Sequence, residues 1–193
     1  MNNGKKRYDD EQMAYKKPAE MILRQVGIIK NEIKEPILLA GDEGLKMQEE
    51  LDSALTHVHE VREGISKIII DEDLVDVLDG IVDYSHLLVL YWAHKVPEKS
   101  RSLTKVHPMG SDEYPLKGIF STCSPARPNP VLLTVVQLIE RKDNVLEVSG
   151  LDAIDGSPVI DIKPYVSDVY PQKEVSIPKW MNQILREVEK RNL

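Results

Sequence analysis

The chain has 193 residues, 41% of them apolar, and a formal net charge of −7. That length suits one domain with at most an appendage, and the apolar share is enough for a real core, so wholesale disorder is excluded. The acidic balance counts against indiscriminate nucleic-acid binding, which needs clustered Lys and Arg, yet it leaves room for a local basic face.

A single cysteine cannot form an internal disulfide, which fits a reducing, cytoplasmic setting. The longest apolar run, Leu87 to Ala93, falls far short of the roughly 18–20 residues of a membrane span. No apolar stretch follows the basic residues of the N-terminus, so a secretory signal is not expected. These features predict a soluble cytoplasmic protein with no membrane partner.

Residues 1–20 are polar and mixed in charge and read as a flexible arm. Met21 to Ile29 reads as a short strand. From Asp42 to Glu63, Leu45, Leu51, Leu55, Val58 and Val61 recur at the spacing of an amphipathic helix closed by Gly64. Ser66 to Asp71 is a predicted buried strand, after which Asp71 caps a short helix carrying Leu74, Val77, Leu78 and Ile81.

His86 to His94, HLLVLYWAH, is the clearest buried-strand signal. The polar, proline-containing stretch from Pro97 to Pro115 reads as a long loop, a length that in a compact domain usually serves function. Two strands, VLLTVVQLIE and NVLEVSG, follow about a turn at Asp143–Asn144, and VIDIKPY follows a turn at Asp155–Gly156. IPKWMNQILREVEKRNL reads as a C-terminal helix with Pro178 near its first turn and Trp180, Ile184 and Val188 on one side. The strand-rich middle and end predict a mainly β (α+β) protein: a small closed or partly open β-barrel with peripheral helices. The barrel is expected over residues 21–167, with a helical insertion at about 42–63 and a C-terminal extension over 168–193.

Two stretches carry chemistry. STCSPARPNPV, Ser121 to Val131, places three prolines within six positions. Arg127 and Asn129 each precede a proline, which drives the segment into an extended conformation. Residues two apart then project to the same side, so Arg127 and Asn129 either face a polar ligand together or satisfy carbonyls of a rigid loop.

The second stretch is GLDAIDGSPVIDIKPY, Gly150 to Tyr165, where Asp155–Gly156 is a tight-turn signature. In the strand after it, Ile160 and Ile162 are expected on one face and Asp161 and Lys163 on the other. Asp152, Asp155 and Asp161 place two or three carboxylates around one turn. There they suit the sulfonium or ribose hydroxyls of a cofactor, or form an ordinary solvated face.

No metal site is expected. His57 and His59 face different directions on a predicted helix, and His86, His94 and His107 lack cysteine partners at zinc spacing. Neither GxGxxG nor GxxxxGK[ST] occurs, so no dinucleotide or P-loop signature exists.

Taken together, GIFSTCSPARPNPV (Gly118 to Val131) and GLDAIDGSPVIDIKPY resemble the TsaA-like family in order and spacing. QVGII (Gln25 to Ile29) is similar to that family's opening strand and DYSHLLVLYWAHK (Asp83 to Lys95) to its central strand. The resemblance covers roughly Arg24 to Tyr165. It implies a barrel that forms a homodimer and an S-adenosylmethionine-dependent methyltransferase of the TrmO-like branch. That branch modifies the exocyclic amine of the tRNA adenosine just 3′ of the anticodon, on a base already carrying a threonylcarbamoyl group.

By position, the resemblance implies cofactor contacts at His94, Lys95, Leu133, Ile154, Asp155, Gly156 and Ser157. Arg127 and Asn129 fall on the family's RPN signature, implying that they shape the pocket or meet substrate. Asp155 or Asp161 would relay the proton lost by the amine, with Arg127 as a third catalytic candidate, and Tyr165, Tyr91 and Trp92 are either base platforms or, as the plainer reading has it, core residues. Three positions depart from the family: Cys123 stands where it usually has arginine, Leu132 where it has glycine, and Ser157 where it has threonine. Cys123 keeps the place of a cofactor contact but loses five donors and a permanent charge. The family's proline-arginine-glutamine contact has no counterpart beyond Lys46-Met47-Gln48 and is not carried over.

Overall fold

The computed structural model describes residues 21–36, 38–41, 44–47, 64–171 and 173–190. The arm over residues 1–20 lies outside them, as does most of the expected helical insertion.

Six strands close into an antiparallel barrel. In chain order they are β1 (Gly27–Lys30), β4 (Ile65–Ile70), β5 (His86–Trp92), β8 (Val131–Lys142), β9 (Val145–Ser149) and β10 (Pro158–Pro164). Around the barrel the order is β1-β10-β5-β8-β9-β4, with β4 pairing back onto β1. The closed form of the expected barrel is thus the one adopted, and closure removes the sheet edges that would otherwise expose unpaired backbone. Beside it lie two hairpins, β2 (Leu38–Gly41) with β3 (Gly44–Met47), and β6 (Lys105–Val106) with β7 (Lys117–Gly118).

The interior is filled by alternate residues of the six strands, among them Ile29, Ile68, Leu87, Val89, Tyr91, Val136, Leu146, Val148 and Val159. Tyr91 is buried, and its hydroxyl donates to the Asp152 carbonyl and meets the Thr134 hydroxyl, so this ring is core and no base platform. A second cluster of Val96, Val106, Ile119 and Ala126 lies under the segments that connect β5 to β8.

Several local expectations need correction. Of the predicted strand over Met21–Ile29 only Gly27–Ile29 joins β1, which runs on to Lys30, because the chain before Val26 leaves the barrel end with Met21, Ile22 and Leu23 exposed. Gly44–Met47, inside the expected helix from Asp42, is a strand instead, paired antiparallel with β2 from Gly41 opposite Gly44 to Leu38 opposite Met47.

After Asp71 the chain forms two 3-10 segments, Glu72–Leu78 and Ile81–Asp83, and the Asp71 side chain makes no cap. Gly80, at φ 75°, breaks the run before an α-helix can extend. The expected loop from Pro97 is built of short 3-10 turns and the β6–β7 pair.

In β10 the register slips between Val159 and Asp161, leaving Ile160 as the extra residue of a bulge. Val159 and Ile162 therefore pack on the core, rather than Ile160 with Ile162. The C-terminal helix is present as α1 (Lys179–Lys190), with Trp180, Ile184 and Val188 half-buried along one side. Tyr114 donates to Glu187 at 2.7 Å and ties this helix to the β6–β7 connection.

Candidate functional site

The turn from Ile154 to Ser157 is where β9 hands over to β10, at the barrel end that also holds the close of β1 and of β5. Gly156 sits at φ +81°, a conformation an L side chain rarely adopts. The turn closes on itself, with Ser157 N donating to Ile154 O at 3.0 Å, and is zipped to β1 and the residues after it. Asp155 N donates to Ile33 O at 2.7 Å, Gly156 N to Ile29 O at 2.8 Å, and Ile29 N to Ser157 O at 3.0 Å.

Asn31 organises the same corner. Its Nδ2 donates to the Ala153 carbonyl at 2.8 Å and to Ser66 Oγ at 3.2 Å, while its Oδ1 accepts from Ile33 N at 3.1 Å. Its backbone N–H donates to Asp155 Oδ1 at 3.1 Å. The other carboxylate oxygen of Asp155 meets Lys34 Nζ at 3.1 Å and Lys30 Nζ at 3.9 Å. The Asn31 amide first, and the Lys34 ammonium second, hold the Asp155 carboxyl below its usual pKa.

From the other side, His94 closes the turn. Its Nδ1 shares a hydrogen bond of 3.2 Å with Ser157 Oγ, and Ser157 is only 1% exposed. A Cβ on Gly156 would stand 3.9 Å from His94 Nε2, so the ring faces the glycine. Burial lowers the His94 pKa and the neighbouring Lys95 lowers it further, against a smaller opposing pull from Asp155. The imidazole is therefore neutral at neutral pH. Lys95 donates to the Lys34 carbonyl and pairs with Glu35 at 2.8 Å.

The proline-rich segment abuts this corner. Ala93 N donates to Pro130 O at 2.8 Å, one residue before His94. Arg127 does not project beside Asn129. Its Nη2 donates back to Thr122 O at 3.1 Å and Ile119 O at 3.4 Å, with the guanidinium 5.9 Å from the centre of the Phe120 ring. Asn129 is exposed, and its carbonyl accepts from Val131 N at 2.7 Å. Cys123 is an exposed free thiol on the same loop. Leu133 lies on the outer face of β8, paired with Leu90 of β5 and 57% exposed, whereas Leu132 packs on the core.

Two expected members are elsewhere. Asp161 accepts from its own neighbour Ile162 N at 2.9 Å and pairs with Lys163 at 2.5 Å, four residues past Ser157. Tyr165 N donates to His86 O at the opposite end of β5, and its ring stacks on Tyr170 with centroids 5.3 Å apart. The length of β10 separates that ring from the Asp155 turn. Trp92 is half-buried, with Arg101 5.4 Å from its ring centre. The structure thus joins His94, Lys95, Ile154, Asp155, Gly156 and Ser157 at one corner. It adds Asn31, Lys30 and Lys34, which no motif marked. Among the described residues no cluster of three or more His, Cys, Asp or Glu converges on a metal position.

Residues 55–170 match the tRNA-methyltransferase O N-terminal domain family. The chain belongs to this family. A probable S-adenosyl-L-methionine-binding protein of Methanothermobacter thermautotrophicus is 48% identical over 104 residues, covering 54% of this chain and 72% of that protein. The tRNA (adenine(37)-N6)-methyltransferase of Escherichia coli is 33% identical over 146 residues, covering 74% of this chain and 56% of that enzyme. A solved structure of TrmO from Pseudomonas aeruginosa superposes with a TM-score of 0.58 at 22% identity, over 83% of this chain and 62% of that one. At that identity the match establishes the shared barrel. The chain spans little more than half of the E. coli enzyme.

Proposed function

We propose that this TrmO-family protein is an S-adenosylmethionine-dependent methyltransferase acting on the exocyclic amine of a tRNA adenosine beside the anticodon, on a base carrying a threonylcarbamoyl group. The observation that carries the reading is the corner itself. The Ile154–Ser157 turn, on which the family's cofactor contacts fall, is fixed in space from β1 on one side and from His94 on the other. Its backbone groups and the adjoining His94 and Lys95 would hold the cofactor, which supplies an electrophilic methyl on a sulfonium.

The protein's own contribution is alignment. A rigid turn holds its ligand without first having to be ordered, and effective alignment is worth a large share of a transfer barrier. A neutral His94 adds no repulsion to a cationic ligand. Asp155 has both oxygens engaged by Asn31 and the two lysines, so its role is to position the turn, and the amine proton leaves to solvent. Arg127 shapes the pocket wall by fixing the Ile119–Thr122 turn, and Asn129, exposed beyond it, faces the acceptor.

The protein acts as a homodimer. Leu133 and Val135 of β8, both exposed, with the half-buried Leu90 opposite Leu133, form an apolar stripe outside the barrel that suits a second copy.

The test is incubation with methyl-labelled S-adenosylmethionine and total tRNA from the native host, with and without ribonuclease. Label that appears only in intact tRNA is the expected result. Cofactor binding by calorimetry with no label in RNA would overturn the acceptor assignment. Sedimentation of Leu133→Glu as a monomer, beside a dimeric wild type, is expected for the stripe.

A further inference from the structure

We propose that Phe120 is the platform on which a base of the acceptor RNA stacks, an inference that rests on the tRNA methyl-transfer reading above. Phe120 is the only phenylalanine of the chain and is 80% exposed. It sits in the 3-10 turn Ile119–Ser121, whose first residue, Ile119, is buried in the second core cluster and anchors the turn. The ring is backed on one side by the Arg127 guanidinium, centred 5.9 Å away.

That guanidinium is itself held by the Ile119 and Thr122 carbonyls, the two ends of the turn that carries Phe120. The ring is therefore a mounted π-surface with a cation behind it, on a loop whose far end, Pro130, is bonded to the residue before His94. Single-stranded bases bind by stacking on such rings, because every base has a π-face.

The three aromatic residues offered earlier as platforms are placed otherwise: Tyr91 is core, Trp92 is half-buried near Arg101, and Tyr165 stacks on Tyr170 at the opposite barrel end. A second copy of the chain is a poorer occupant for Phe120. Its immediate neighbours Ser121, Thr122 and Cys123 are polar or small, whereas a stable interface needs roughly 800 Å² per partner. The β5–β8 stripe offers contiguous apolar surface and the Phe120 turn does not.

The experiment compares wild type with Phe120→Ala, Phe120→Leu and Phe120→Trp in full-length protein. It measures acceptor KM and kcat with host tRNA, cofactor Kd, sedimentation, and quenching of a single-stranded oligoribonucleotide carrying 2-aminopurine. Stacking predicts an acceptor KM or RNA Kd about 5- to 150-fold weaker in Phe120→Ala. It also predicts lost quenching, unchanged cofactor Kd and oligomeric state, and rescue by Phe120→Trp but not Phe120→Leu. Rescue by Leu, an unchanged acceptor KM in Phe120→Ala, or loss of the dimer in Phe120→Ala each overturns the platform while leaving the methyltransferase reading intact. Failure of the wild type to label tRNA overturns that reading, and the platform with it.

Discussion

Replacing Asn31 by alanine should loosen the corner that carries the Ile154–Ser157 turn, proposed to hold the cofactor. The side chain makes three hydrogen bonds, to Ala153 O at 2.8 Å, Ser66 Oγ at 3.2 Å and from Ile33 N at 3.1 Å. Each is worth about 0.5–1.5 kcal/mol net. Ser66 and Ala153 are buried and would lose a polar partner, so the total loss is about 2–3 kcal/mol. For a chain of this size that is a fall in Tm of about 5–10 °C.

Asn31→Asp should be worse. It keeps the acceptor for Ile33 N, removes both donors and brings a carboxylate toward the Ala153 carbonyl and Asp155. Thermal melts and calorimetric titration with S-adenosylmethionine on the same samples check both effects. An Asn31→Ala protein with wild-type Tm and wild-type cofactor affinity would refute the claim that this residue holds the turn.

Gly156→Ala meets no clash, since the nearest atom to its methyl is His94 Nε2 at 3.9 Å, but it forces an L residue to φ +81°. A stability loss of about 1–2 kcal/mol with weaker cofactor binding is expected in the same melts and titrations. His94 has a folded pKa below the value of about 6.5 it takes when unfolded. Its contribution to stability is thus complete above that pH and lost as pH falls toward the folded pKa. Urea midpoints between about pH 7.5 and 5.5 should decline more steeply for wild type than for His94→Gln, since the window of Asp155 opens only below about pH 4. Tyr114→Phe removes the bond to Glu187 from a buried hydroxyl that burial, and then Glu187, push up to about 12. Faster hydrogen exchange in α1 at an unchanged transfer rate is expected.

What could be read in advance was the barrel's long strands and their turns. The β5, β8–β9 and β10 segments announce themselves through apolar runs broken at Asp143–Asn144 and Asp155–Gly156, because local backbone preference and burial agree there. Arg127 satisfies loop carbonyls, the second of the two readings its spacing allowed, and the sequence could not choose between them. A following proline restricts backbone dihedrals and leaves the side-chain torsions open, and the carbonyls that capture the guanidinium lie five and eight residues upstream in a turn. Asn31 was invisible for a related reason, since its partners stand 35 and 122 residues away and meet it only through barrel closure. Tyr165 lies far from the Asp155 turn because a motif contiguous in sequence runs the full length of β10, and its two ends belong to opposite ends of the barrel.

In the proposed reading Asp155 serves as an anchor rather than a base, and its partners at the turn supply the reason. A carboxylate held by an amide N–H and an ammonium is stabilised in its charged form, and a weaker base accepts a proton less readily. Methyl transfer from a sulfonium loses little by this, because the donor is already activated and the amine proton can leave late. Fixing the turn does matter in the proposed reading, where its backbone meets the ligand. The sequence spends its charge accordingly: Lys30, Lys34 and Lys95 surround Asp155 and Glu35 at the barrel end. Asp161 pairs with Lys163 farther along the strand, away from that surface. An Asp155→Asn protein that keeps the amide acceptor should therefore retain transfer at a reduced cofactor affinity. A general base at this position would instead lose turnover at unchanged affinity.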